Sequence, residues 1–244
     1  MNELVAELDR CAGAGQRVTF WLRDDDAVAT TPALDRLMAL AATFDVPVVL
    51  AVIPMPAEPE LARPLAGAQT RIALHGFAHA NHAGPGEKKQ ELGSHRPAAT
   101  VLDELARGRD RLDALFPGRT VAMLVPPWNR IAADLVPHLP GLGLCWLSTF
   151  GPEPPTMPAA DLVQIDCQLD IMDWRTRRSH PADVLAARLA DLVRQRRRVS
   201  GPIGILTHHL VHDEAAWTFL ADLFRLTARH DAATWAWPVA DFAG

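Results

Sequence analysis

Two short motifs hold the side chains best suited to chemistry: Arg23-Asp24-Asp25-Asp26 and His75-Gly76-Phe77-Ala78-His79. Each follows an apolar run of the kind that forms a buried strand. Two imidazoles and up to three carboxylates at strand ends are the ligand set of an open, catalytic divalent-metal centre, with a carboxylate to spare as a base. His75 and His79 are four residues apart, so both rings can reach one ion from a single tight turn. Three adjacent carboxylates repel one another unless a cation or an arginine compensates. Taken alone, the aspartates fit a solvated loop equally well, and the paired histidines are what favour a metal.

Further candidates follow other apolar runs. His208 ends the run 203–206 and would face the same rim, where an imidazole suits a general acid that protonates a leaving group. Asp170 or Asp173 could orient that ring through its other nitrogen. Trp128 and Trp174 sit beside polar residues and suit stacking on a sugar ring at a site mouth. Trp21 alternates within an apolar strand and reads as core, and His82 reads as pocket-lining. The chain has no GxSxG, P-loop or GxGxxG motif, which removes the usual serine-hydrolase and nucleotide-binding readings.

These residues need a scaffold, and the hydrophobic pattern predicts one. Strands are expected over 17–23, 46–53, 70–74, 121–125, 142–147, 162–166, 203–206 and 233–237. Helices are expected over 31–44, 97–115, 131–139, 181–197 and 213–230, with a short one at 58–66, and surface loops at 80–95 and 151–158. Thr31-Pro32 is a cap followed by a first-turn proline. Alternating strands and helices imply a parallel sheet, open or closed. Polar clusters at several strand ends favour a barrel, whose strand C-termini converge on one face.

The bulk numbers agree. A chain of 244 residues, 49% hydrophobic, can bury one core, so 1–244 is expected to be a single catalytic domain. Net charge of −5 gives no footprint for nucleic acid, and the basic run at 194–198 reads as a solvated helix end. Three widely spaced cysteines read as core thiols. The N-terminus lacks the pattern of a signal peptide, and the longest apolar stretch is too short to span a bilayer, so a cytoplasmic location is expected.

In order and spacing these motifs resemble those of the polysaccharide deacetylase (NodB-like) family. Its first motif, Thr-Phe-Asp-Asp-Gly before a helix that opens with Thr-Pro, resembles 22–26 followed by Thr31-Pro32. Counting back from Pro32, the resemblance makes Asp24 the catalytic base and Asp25 a metal ligand, with Asp26 at the glycine position. His75 and His79 match the His-x-x-x-His metal motif, Pro126-Pro127-Trp128 the third motif, Asp173-Trp174 the fourth, and Leu206-Thr207-His208 the fifth, whose histidine is the general acid. The resemblance spans residues 17–209. It implies an α/β fold, a distorted (β/α)7–8 barrel, and a metal-dependent N-deacetylase holding a divalent metal, zinc by expectation. Asp173 is expected to orient His208, and Arg23, Pro127, Trp128, Asn129 and Trp174 to line the substrate site.

The departures mark a divergent branch. The family arginine that orients the base falls at Val125 here, and Arg23 or Arg130 is the candidate replacement. Without an export signal, a small molecule, a nucleotide sugar or a lipid-linked sugar suits the site better than a wall polymer. Two other readings stay open: a facial-triad iron oxygenase, which shares the two-histidine, one-carboxylate set, and a non-catalytic ligand-binding barrel.

Overall fold

The computed structural model describes residues 1–63, 65, 69–151, 159–199 and 201–238. Its centre is a curled, parallel sheet. The strands are β1 (Val18–Ala27), β2 (Val48–Val52), β3 (Thr70–Leu74), β4 (Thr120–Leu124), β5 (Trp146–Leu147), β6 (Val163–Gln164), β7 (Leu169–Asp170), β10 (Ile203–Thr207) and β11 (Ala233–Trp235), with β8 (Met172–Asp173) and β9 (Arg178–Ser179) forming a small antiparallel hairpin. The order is β6-β5-β4-β3-β2-β1-β10-β7, and β11 pairs with the start of β1. The run 163–171 joins the two ends. Ile165 and Cys167 donate to the carbonyls of Leu147 and Thr149 beside β5, whereas Gln168 and Ile171 donate to Gly204 and Leu206 of β10. The sheet therefore closes into a distorted barrel.

Helices α1 (Asn2–Gly13), α2 (Pro32–Thr43), α3 (Ala98–Leu115), α4 (Ala182–Arg196) and α5 (Glu214–Thr227) surround it. Thr31 caps α2 through Leu34 N–H, at 3.1 Å, and Asp213 caps α5 through Ala216 N–H, at 2.9 Å. Because the sheet is covered on both faces, its strands are apolar along their whole length. Alternation still sorts them. Trp21, Val49, Ala51, Ala73, Met123, Val125 and Leu206 pack inside the barrel, while Phe20, Leu22, Val48, Leu50, Ile72, Ile203 and Ile205 pack outward against the helices. A side chain at Gly204 would meet the Trp21 indole nitrogen at 2.6 Å, so that inward position has no room for one.

The expected α/β barrel is the observed one, with local differences. β1 runs four residues beyond the expected 17–23, through all three aspartates. The helix expected over 131–139 is replaced by single turns at Val136–His138 and Pro140–Leu142, since Pro137 and Pro140 withhold the amides a longer helix needs. α1 was not foreseen. The Pro-rich loop expected at 151–158 lies, from 152 onward, outside the described residues. Among the described residues, no helix is long and apolar enough to cross a membrane.

Candidate active site

The parity of β1 decides where its charges go. Arg23 and Asp25 share the inward face with Trp21, and Asp24 shares the outward face with Phe20 and Leu22. The strand then bulges: Asp24 pairs with Leu50 but Ala27 with Val52, three residues against two. Asp26 is the residue at the bulge, with φ of 74°, and its carboxylate turns back to the cavity that Asp25 borders.

Asp26 is the carboxylate that meets the histidines. Its Oδ1 lies 3.1 Å from His75 Nε2 and 3.3 Å from His79 Nε2, and the three donor atoms lie within 4.8 Å of one another. His75 Nδ1 bonds the carbonyl of Val125 at 2.8 Å, which fixes the ring and points Nε2 at Asp26. Burial works to raise the Asp26 pKa, but the hydrogen bond from His75 and the histidine charges outweigh it and hold the carboxyl well below its usual range. Burial, aided by His75, pushes His79 down, favouring the neutral ring that binds metals. An oxygen and two imidazole nitrogens converging on one point, open to a cleft, could hold a divalent metal ion. The sequence register pointed to Asp25 for this position; the bulge puts Asp26 there.

Asp25 is held by Arg23. Nε and Nη2 donate to its two oxygens at 2.9 and 3.0 Å. The remaining donors go to Ser148 Oγ at 2.8 Å, the Thr149 carbonyl at 3.1 Å and Asn129 Oδ1 at 2.7 Å, so all five N–H groups are used. Arg23 is fully buried, and the Asp25 charge keeps it protonated against that burial. His208, inward on β10's edge, brings Nε2 to 4.0 Å from Asp25 Oδ2.

Asp24, expected as the base, faces outward instead. It accepts from Thr207 Oγ1 at 2.7 Å and from His209 N–H at 2.9 Å, and its other oxygen bonds His209 Nδ1. Both side chains are wholly buried. Burial opposes both charges, yet the mutual attraction wins: Asp24 is pushed down and His209 up. The pair ties β1 to β10 behind the cavity.

The other expected residues divide. Trp128, Asn129 and Trp174 line a cavity of about 840 Å³ with Asp25, Asp26, His75, His79, Asp170 and His208. Trp128 packs on His79, ring centroids 4.3 Å apart, and Trp174 meets His208 edge-on at 4.5 Å. Pro127 is buried against Gly76. Asp173, expected to orient His208, accepts from Arg175 N–H at 3.0 Å in the β8–β9 turn and is not among the cavity-lining residues. Asp170 is, and it accepts from the Trp174 indole N–H at 2.7 Å. His82 does not line the cavity; its N–H bonds the Gln90 carbonyl.

Glu91 is a residue the sequence did not single out. Its buried carboxylate accepts from the N–H groups of Phe77 at 3.1 Å and Ala78 at 2.8 Å, and so holds the turn that carries His79. A lone glutamate in a polar loop gives no signal of this. Backbone strain is concentrated here as well. Seven non-glycine residues among those described have positive φ, and Asp26, His79, Trp128, Asn129 and Arg177 all line the cavity. Each such conformation costs roughly 1–3 kcal/mol and persists only where its surroundings enforce it.

No family model matches the chain, and no curated protein matches it by sequence. Solved structures do match. A Mycobacterium smegmatis protein assigned as a polysaccharide deacetylase superposes with a TM-score of 0.70 at 18% identity, over 91% of this chain and 87% of that one. A family 4 carbohydrate esterase from Streptomyces lividans, solved with acetate, matches at 0.55 and 16%, over 86% and 90%. A family 4 pseudoenzyme from Bacillus anthracis matches at 0.57 and 14%, over 89% and 63%. The chain thus has the distorted (β/α) barrel fold of the NodB-like polysaccharide deacetylases.

Proposed function

We propose that this chain is a divalent-metal-dependent hydrolase of carbon–nitrogen amide bonds, an N-deacetylase acting on an acetylated sugar or a related small amide. The observation that carries the reading is the meeting, in one cleft, of the Asp26, His75 and His79 donors with Asp25 and His208 facing each other across 4.0 Å. Asp26, His75 and His79 would hold the metal, with zinc the proposed ion. Bound there, it would supply Lewis-acid polarisation and a lowered pKa for water.

The chain's own residues would do the rest. Asp25, oriented by the fork of Arg23, takes the proton of the water that attacks the amide carbonyl. His208 gives its Nε2 proton to the departing nitrogen as the C–N bond breaks, releasing acetate and a free amine. Trp174 fixes the plane of the His208 ring. Trp128, Asn129 and Trp174 form walls on which a sugar ring can stack. Arg23 takes over the task of the family arginine whose place is held by Val125.

Purified protein should contain stoichiometric zinc and release acetate from members of a panel of N-acetylated sugars and amines. Activity that requires ferrous iron and dioxygen would move the reading to the iron oxygenase. Metal without turnover on any substrate would favour a binding barrel, for which the match to a pseudoenzyme speaks.

A further inference from the structure

Four cationic side chains also line the cavity: Lys89, Arg130, Arg177 and Arg188. They come from separate places in the chain. Lys89 lies in the loop before α3, Arg130 follows Asn129, Arg177 is in the β8–β9 turn and Arg188 is on α4. The Lys89 ammonium stands 5.9 Å from the Trp128 ring, whose other neighbour is His79. Arg130 Nη1 donates to the Lys89 carbonyl at 3.0 Å. Arg177 belongs to the turn that carries Trp174, and so lies on the His208 side of the cleft. It occupies a left-handed conformation, φ 55°, a position that glycine fills without strain.

None of the four forms an ion pair among the described residues. Of the cavity's carboxylates, Asp25 is paired with Arg23 and Asp26 meets the histidines, while Asp170 bonds only the neutral Trp174 indole and Met172 N–H and keeps its charge. Four cations, with Lys89, Arg177 and Arg188 exposed at the mouth, outnumber the one carboxylate without a cationic partner, so the cleft has an excess of positive charge in a chain of net charge −5, and its concave walls concentrate the field. Four cations exceed what one carboxylate neutralises, whereas a phosphate monoester holds close to two negative charges and several acceptor oxygens.

We propose that the acylated substrate bears a phosphate group, bound by these cations while its amide lies between Asp25 and His208. This rests on the hydrolase reading of the site. The test is calorimetric binding of N-acetylglucosamine, its 1-phosphate, its 6-phosphate and N-acetylmuramic acid to the metal-loaded protein and to the Arg177→Gln/Arg188→Gln double variant, with acetate release followed in parallel. At least one phosphorylated sugar should bind about tenfold or more tighter than the neutral sugar and the carboxylate. That preference should weaken with added salt and be lost in the double variant. Three results would each overturn the proposal: no binding of either phosphorylated sugar at millimolar concentration, equal affinity for neutral and phosphorylated sugar, or a preference that survives in the double variant. Phosphate-selective binding without acetate release from any ligand would instead leave the anion site standing and remove the deacetylase reading.

Discussion

Arg23 and Asp25 stand two residues apart on the inner face of β1 and form a fork-to-fork pair, with N···O distances of 2.9 and 3.0 Å. Both are nearly or wholly buried, so the fork fixes the orientation of the Asp25 carboxylate at the edge of the cavity it lines. If this pair aims the base, Arg23→Lys keeps the charge and loses the geometry. The expected result is a fall in kcat of roughly a hundredfold, with zinc content near that of the wild type. Arg23→Met should in addition lower stability by about 3–5 kcal/mol, because it strands a buried carboxylate. Steady-state kinetics, metal analysis and urea melts on the two variants check this. Unaltered kcat in Arg23→Lys would remove the positioning role.

The three aspartates should separate cleanly by phenotype. Asp26→Ala is expected to lose the metal. Asp25→Asn should retain it and lose turnover by roughly 10²–10⁴-fold, the usual weight of a general base. Asp24→Ala should retain the metal and lose stability, by about 3–5 kcal/mol, since His209 is left charged or unpaired in the core. Metal content per protomer, measured beside the melting midpoint, distinguishes all three. A metal-free but fully stable Asp24→Ala would reverse the assignment.

Much of this was legible in the residues, and the part that was not has a specific cause. The longer strands, the cap at Thr31 and the pairing of the acidic and histidine motifs follow from hydrophobic period and cap chemistry, whereas the two-residue strands β7, β8 and β9 are too short to show a period. The places within the aspartate triplet were counted back from Pro32, and the bulge at Asp26 adds a residue that no periodicity reports, so the aspartate that meets the histidines is Asp26 rather than Asp25. Parity gave a better guide: Asp24 alternates with Phe20 and Leu22, so it had to face the helices. Its compensation, His209, lies 185 residues away, beyond the reach of any local pattern. α1 is readable from Leu4, Leu8 and Cys11, all buried on one face at helical spacing.

The turn that presents His79 depends on two residues outside the metal set. Gly76 has φ of 58°, and a Cβ there would come within 2.1 Å of Glu91 Oε2 and 2.5 Å of Pro127 Cγ. Glu91 in turn satisfies the amides of the turn. Both Gly76→Ala and Glu91→Ala should therefore weaken zinc binding, by roughly 10–100-fold, as loss of residues that support metal ligands does elsewhere. Competition with a chromophoric chelator measures it. Wild-type zinc affinity in Glu91→Ala would show that the turn holds itself.

Stability should also depend on pH through a histidine that takes no part in the chemistry. His212 is packed against Trp217, ring centroids 4.5 Å apart, and its Nε2 accepts from His208 N–H at 3.3 Å. Burial, with the neighbouring histidines, pushes its pKa down to about 4. An unfolded histidine titrates near 6.5. Between those values the unfolded chain binds the proton and the folded chain does not, so stability rises with pH across the window and falls as pH drops through it. The full span corresponds to roughly 3 kcal/mol at 1.36 kcal/mol per pKa unit. His212→Gln keeps an acceptor for His208 N–H and cannot titrate. Its unfolding free energy, measured by urea melts from pH 4.5 to pH 7, should change with pH less steeply than the wild type's by about that amount. Equal slopes for the two proteins would mean that His212 already accepts its proton in the folded state, and that its contact with Trp217 tolerates the charge.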